Sequence, residues 1–179
     1  MTFVRSALLA LAGTLLGACR SLEPRDFSRT TPTFSPERYF EGPTYSQGFF
    51  ETRSGAPRMA FTTSAVGQRE SDALVLQQHF TFADGRTQDR GWRVRRLDAH
   101  RYEATANDVI GTARGEVFGA TFHWRYTVAL APGNPLSHVV LEQWMTLLPD
   151  RRTVLNRGII RKWGLRVGSV SEVFRRESR

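Results

Sequence analysis

In the stretch Thr121-Phe122-His123-Trp124-Arg125-Tyr126-Thr127-Val128-Ala129-Leu130, every second residue is large and apolar. Phe122, Trp124, Tyr126, Val128 and Leu130 fall on one face; Thr121, His123, Arg125, Thr127 and Ala129 fall on the other. That two-residue period belongs to a β-strand with one side buried. Leu74, Leu76, Phe80 and Phe82 repeat it, with Gln78 interrupting, and Asp84-Gly85 then supplies a hairpin turn before Trp92 and Val94. Further strands are expected around 48–52, 58–66, 102–106, 112–118, 139–147, 154–162 and 166–174, about ten in all. The helical period does not recur over any useful length. Turn signals between consecutive strands predict an all-β domain, an up-and-down antiparallel β-barrel of about 8–10 strands. A barrel of that size is either filled by its own side chains or holds one small ligand. A membrane-spanning barrel needs an apolar outer band, which Arg93, Arg95, Arg125 and Glu116 deny to the outward faces.

The start of the chain reads differently. MTFVRSALLALAGTLLGAC carries one charge, Arg5, followed by an apolar and small-residue run from Ala7 to Ala18. The run is too short for a membrane-spanning helix and has the layout of a secretory signal. Leu16-Gly17-Ala18-Cys19 resembles the bacterial lipobox: an aliphatic residue, two small ones and the cysteine that receives lipid. The resemblance implies diacylglycerol on the Cys19 thiol and cleavage before it, so residues 1–18 are expected to be a lipoprotein signal peptide. Arg20 replaces the Asp that holds lipoproteins at the inner membrane of enteric bacteria. The implied address is the outer membrane of the cell envelope, facing the periplasm. Residues 19–38, rich in Pro, Ser, Thr, Arg and Glu with isolated apolar positions, read as a flexible tether, and residues 39–179 as the barrel domain.

The chain has 179 residues, a formal net charge of +8 and a single cysteine. One cysteine excludes an intramolecular disulfide. An anchored envelope protein rarely meets nucleic acid, so its arginine clusters read first as a solvated surface that keeps the protein soluble and second as contacts to anionic phospholipid or lipopolysaccharide headgroups.

From Glu41 onward the order of motifs resembles a family of bacterial lipoproteins, domain of unknown function 3833, related in shape to lipocalin-like proteins. The resemblance rests on Phe40-Glu41-Gly42-Pro43 with Gly48, on Phe80-Thr81-Phe82 with Asp84-Gly85 and Trp92, and on Asn107-Asp108-Val109-Ile110-Gly111 with Ala113 and Gly115. It continues through Phe122-His123-Trp124-Arg125-Tyr126, Trp144-Met145, Leu155-Asn156-Arg157 and Lys162-Trp163-Gly164 to Phe174. It implies a fold and a membrane address, and no activity.

Trp92, Phe122, Trp124, Tyr126 and Trp144 are the candidates for the barrel interior or its mouth, where a hydrophobic ligand would sit. Asp108, followed by Gly111, is read first as a turn former bonding nearby backbone N–H groups, and second as a displayed catalytic carboxylate. Glu142 is the other candidate acid or base. His79, His100, His123 and His138 lack metal-ligand spacing, with His79 and His123 expected to face solvent. With the cysteine given to lipid no metal is expected, and because Gly-x-Ser-x-Gly and phosphate-loop patterns are missing, neither serine-hydrolase chemistry nor a nucleotide cofactor has a motif behind it. Three readings stay open: a non-catalytic envelope lipoprotein binding a lipid or other hydrophobic molecule, a filled barrel that docks a protein partner, and an enzyme on a hydrophobic substrate using Asp108 or Glu142.

If Cys19 carries the anchor, Cys19→Ser accumulates as full-length precursor and takes up no labelled fatty acid in growing cells. Undiminished labelling would assign the lipid elsewhere.

Overall fold

The computed structural model describes residues 21–176; the expected signal peptide and Cys19 lie outside the described residues. Ten strands follow one another: β1 (Gly42–Thr52), β2 (Pro57–Glu70), β3 (Ala73–Phe82), β4 (Thr87–Arg96), β5 (Arg101–Ala106), β6 (Val109–Phe118), β7 (Thr121–Ala129), β8 (His138–Leu147), β9 (Thr153–Lys162) and β10 (Leu165–Arg176). Each pairs antiparallel with its neighbours in sequence, and β10 closes onto β1 from Thr44 opposite Arg176 to Thr52 opposite Gly168. Up-and-down order puts the β1–β2, β3–β4, β5–β6, β7–β8 and β9–β10 connections at one end of the barrel and the others at the opposite end.

The alternation in β7 has its expected consequence, since Phe122, Trp124, Tyr126 and Val128 are all buried. Leu130, expected on that same face, lies beyond the strand and is exposed, because the chain has already turned into the β7–β8 connection. Gly115 on β6 faces Trp124, and a Cβ there would run into the Phe122 and Trp124 rings. Room for the two large rings thus depends on a glycine in the neighbouring strand. β1 and β2 are longer than expected, starting at Gly42 and ending at Glu70. Their buried positions include Thr44, Ser46 and Thr63, so no apolar alternation marks them in the sequence.

Residues 21–38 correct the expectation of a flexible tether. Pro24–Phe27 forms a 3₁₀ turn, Pro36–Tyr39 a single helical turn, and the segment caps one end of the barrel. Phe34 is 1% exposed and packs edge-on against Tyr39 and Phe122, and its N–H donates to the Gly119 carbonyl. Glu37 accepts hydrogen bonds from the Tyr102 hydroxyl at 2.7 Å and from Arg96 at 3.1 Å. The Tyr39 hydroxyl donates to the Arg152 carbonyl at 2.8 Å, and Phe27 packs 5.7 Å from Trp144 on the outer wall. Isolated apolar residues look like a solvated linker when the test is periodicity. A plug needs single wedges at irregular spacing rather than an apolar face, so that test misses it.

Candidate functional site

The cap closes one end and leaves a cavity of about 1230 Å³ inside the barrel, reaching the far end. Pro36 and Phe40 line its floor, Trp92, Phe122, Trp124 and Tyr126 one wall, and Phe50, Phe61, Phe80 and Phe82 a second aromatic group. Trp92 stands edge-on to Trp124 at 5.8 Å and to Tyr126 at 5.1 Å, so the first group is a packed, rigid surface. Arg58, Arg86, Ile110, Leu130 and Pro132 rim the opening.

A few polar side chains point into this apolar space. Arg90, one position of the inward row before Trp92, forks onto Asp108: Nε lies 2.8 Å from Oδ1 and Nη2 2.7 Å from Oδ2. The two side chains are only 13% and 11% exposed. Gln88 adds a third donor to Asp108 at 2.9 Å. The guanidinium also sits over the rings of Phe80, Trp92 and Tyr126 at 5.4, 5.7 and 6.0 Å. The Tyr126 hydroxyl, pushed up to about 12 by burial, donates to Gln143 Oε1 at 3.0 Å. Trp92 Nε1 donates to Gln78 Oε1 at 2.9 Å.

Glu172 is the second charged group inside. Ser46 donates to one carboxyl oxygen at 2.6 Å and Asn156 Nδ2 to the other at 3.0 Å. Burial pushes this carboxyl up to about 6 against the pull of both hydrogen bonds and of the Arg90 charge. Gly48, directly across from it, leaves the room it occupies, because a Cβ there would strike the β10 backbone at Ser171 and Glu172. Nearby, the buried Thr63 Oγ1 and Asn156 Oδ1 have no hydrogen-bond partner among the described residues.

Of the sequence candidates, the structure brings Trp92, Phe122, Trp124, Tyr126 and Asp108 together around the cavity. Trp144 points the other way. It lies on the outer face of β8 between Phe27 and His123, beside a surface depression lined by Phe49, Ala60, Leu155 and Val173. Its neighbours Gln143 and Met145 hold the inward positions. Glu142 also faces outward, 3.2 Å from His123 and 3.7 Å from Arg161, so it shares no site with Asp108. His123, expected to face solvent, is largely covered by Trp144 at 4.3 Å. His79 pairs with Asp89 at 2.6 Å on the outside. Gly111 has φ +70° where the β6–β7 register slips between Ile110 and Arg114. The Asp108 carboxylate, read as a backbone-bonding turn former, is instead occupied by Arg90 and Gln88.

That pair makes Asp108→Asn informative. An amide keeps hydrogen-bonding atoms but leaves a nearly buried guanidinium without its counter-charge, a loss near the low end of the roughly 3–5 kcal/mol for breaking buried ion pairs. Asn and Ala variants should both melt well below the parent, and Arg90→Leu with Asp108→Leu should recover most of the loss. An Asn variant that melts with the parent would show that the charge pair contributes nothing. Glu172 gives a prediction of opposite sign. A carboxyl with a folded pKa above its unfolded 4.5 favours folding while protonated, an advantage present below 4.5 and lost as pH rises through about 6. Glu172→Gln should stabilise at neutral pH by on the order of 2 kcal/mol and hardly at all in acid. A lower melting temperature at neutral pH would show the carboxylate to be stabilising.

The family profile described as protein of unknown function (DUF3833) matches residues 13–176. The curated proteins hold no match to the chain. Among solved structures, the crystal structure of Rv2717c from M. tuberculosis is 14% identical, covers 81% of this chain and 99% of its own, and superposes with a TM-score of 0.59. The S-type phycobiliprotein lyase CPES from Guillardia theta is 8% identical, covers 89% of this chain and 100% of its own, and gives 0.58. At such identities the likeness is one of fold. The profile match spans the cap and all ten strands, and the chain belongs to the DUF3833 family, with a lipocalin-like barrel.

Proposed function

We propose that this chain is a non-catalytic envelope lipoprotein, anchored through Cys19, whose barrel binds a lipid or another hydrophobic molecule. The observation that carries the reading is the cavity of about 1230 Å³, walled by aromatic rings and supplied with a few convergent polar groups. An interior this open gives no support to a filled barrel. Nor does Asp108 suit acid–base work, since Arg90 and Gln88 engage both of its oxygens. The anchor is supported by the lipobox and by a family match that takes in Leu16 to Cys19. An outer-membrane, periplasm-facing address follows from Arg20 in the same way.

The interior charges narrow the ligand. Arg90 is neutralised by Asp108, which leaves Glu172 as the uncompensated charge inside, and a carboxylate or phosphate beside it would be repelled in a low-dielectric space. The polar end that fits among Tyr126, Gln143 and Glu172 is therefore uncharged and hydrogen-bonding, such as a hydroxyl.

Trp92 and Trp124 line the cavity and report its occupancy. Titrating a long-chain alcohol into residues 21–179 should change tryptophan emission saturably, and a fatty acid of equal chain length should bind roughly tenfold more weakly, a difference of about 1.4 kcal/mol. Organic-solvent extracts of the purified protein should contain a matching molecule by mass spectrometry. Tighter fatty-acid binding would overturn the ligand class, and no saturable change with any lipid would overturn the binding reading itself.

A further inference from the structure

The end of the barrel where the cavity opens also carries a cluster of large apolar side chains exposed to solvent. Trp163, at the tip of the β9–β10 hairpin, is 79% exposed, and Leu165 beside it 66%. Leu130 and Leu136 on the neighbouring β7–β8 connection are 67% and 68% exposed, and Ile110 at the start of β6 is half exposed. Leu130, with Pro132 and Gly133 of the same connection, also lines the cavity mouth, so the apolar rim is continuous with the entrance.

These side chains are held out by ordered backbone. In the β7–β8 connection Asn134 Oδ1 accepts from the Leu136 N–H, and the Ser137 hydroxyl bonds the Ala131 and Asn134 carbonyls. The β9–β10 turn is more telling. Trp163 and Gly164 both have positive φ, +49° and +80°, in a two-residue hairpin where Asn-Gly or Asp-Gly is the comfortable pair. A bulky aromatic there is strained, and its ring is buried against nothing in the barrel. Lys162 Nζ lies 4.9 Å from that ring.

Charge at the same end is unbalanced. Asp84 pairs with Arg86, Asp108 with Arg90 and Asp89 with His79, while Glu51 accepts from the Ser169 and Ser171 hydroxyls, which hold its charge without cancelling it. Arg53, Arg58 and Lys162 have no carboxylate partner among the described residues. Tryptophan and leucine at hairpin tips, with unpaired cations behind them, is the arrangement that enters the boundary between acyl chains and anionic headgroups.

We infer that the open end of the barrel docks on an anionic bilayer surface, with Trp163 and Leu136 entering the interface and Arg53, Arg58 and Lys162 meeting lipid phosphates. The cavity mouth then faces the acyl layer, and an apolar ligand passes between bilayer and barrel without crossing water.

Residues 21–179 hold every strand and the cap, so the test uses that chain, with no ligand added, against phosphatidylcholine vesicles with and without phosphatidylglycerol. Sedimentation should carry the protein down with the anionic vesicles, more salt should release it, and brominated acyl chains should quench tryptophan emission. Trp163→Asn restores the residue preferred by the turn, so it should melt above the parent while binding vesicles roughly tenfold more weakly, the scale set by withdrawing one large apolar side chain. Leu136→Ser should weaken binding similarly, and Leu97→Ser, an exposed apolar site at the capped end, should leave it unchanged. No sedimentation with anionic vesicles, binding indifferent to Trp163 and Leu136, or equal loss in the Leu97 variant would overturn the inference. Because no ligand is present, any of those results leaves the cavity reading to its own titration.

Discussion

Closure of the sheet, through the ladder between β1 and β10, is the constraint on which the rest of the molecule depends. It removes both sheet edges and fixes how wide the interior must be. Eight strands leave an interior that side chains just fill, and ten leave more. The chain does not spread large residues evenly to make up the difference. Trp92, Phe122, Trp124 and Tyr126 crowd one wall and Phe50, Phe61, Phe80 and Phe82 form another, while Thr44, Ser46 and Thr63 of β1 and β2 are buried. The aromatic walls surround space that no side chain fills, and that hollow is what a function can use.

Within that hollow, polar groups cost free energy unless they are paired, and the pairing here is uneven. Arg90 and Asp108 satisfy each other in a fork, with aromatic rings over the guanidinium. Glu172 has good hydrogen bonds and no counter-ion in contact, so burial raises its pKa despite them. A carboxyl whose pKa is raised by burial beside a cavity is more readily understood as a feature of a binding wall than as part of a scaffold.

Much of the architecture was legible because alternation in β3 and β7 and the Asp-Gly turn report a half-buried sheet without ambiguity. The site was legible only in part. Alternation names faces without giving their direction, so Trp144 was grouped with the interior aromatics although it is one residue out of phase with Gln143 and Met145. The polar members of the cavity do carry a signal: Gln143 breaks the row Val139, Leu141, Met145, Leu147, and Glu172 sits between Val170 and Phe174. A polar residue on an inward row is the mark of a site as much as an aromatic one. The cap was illegible for a different reason, since Phe34 works as a single wedge whose partners Phe122 and Gly119 lie more than eighty residues away.

The two ends of the barrel therefore differ in the use made of their large apolar side chains. At the capped end Phe34, Tyr39 and Phe40 are spent on closing the interior, and Arg69, Arg93, Arg95, Arg96 and Arg101 are matched with nearby carboxylates, while Arg38, Arg151 and Arg152 have no such partner among the described residues. At the open end apolar side chains and cations are left exposed around the entrance to the cavity. A barrel evolved only for solubility would have no reason to hold a tryptophan in a strained turn there. A barrel that exchanges an apolar molecule with its surroundings does, because the entrance is where water must be displaced for the ligand to pass.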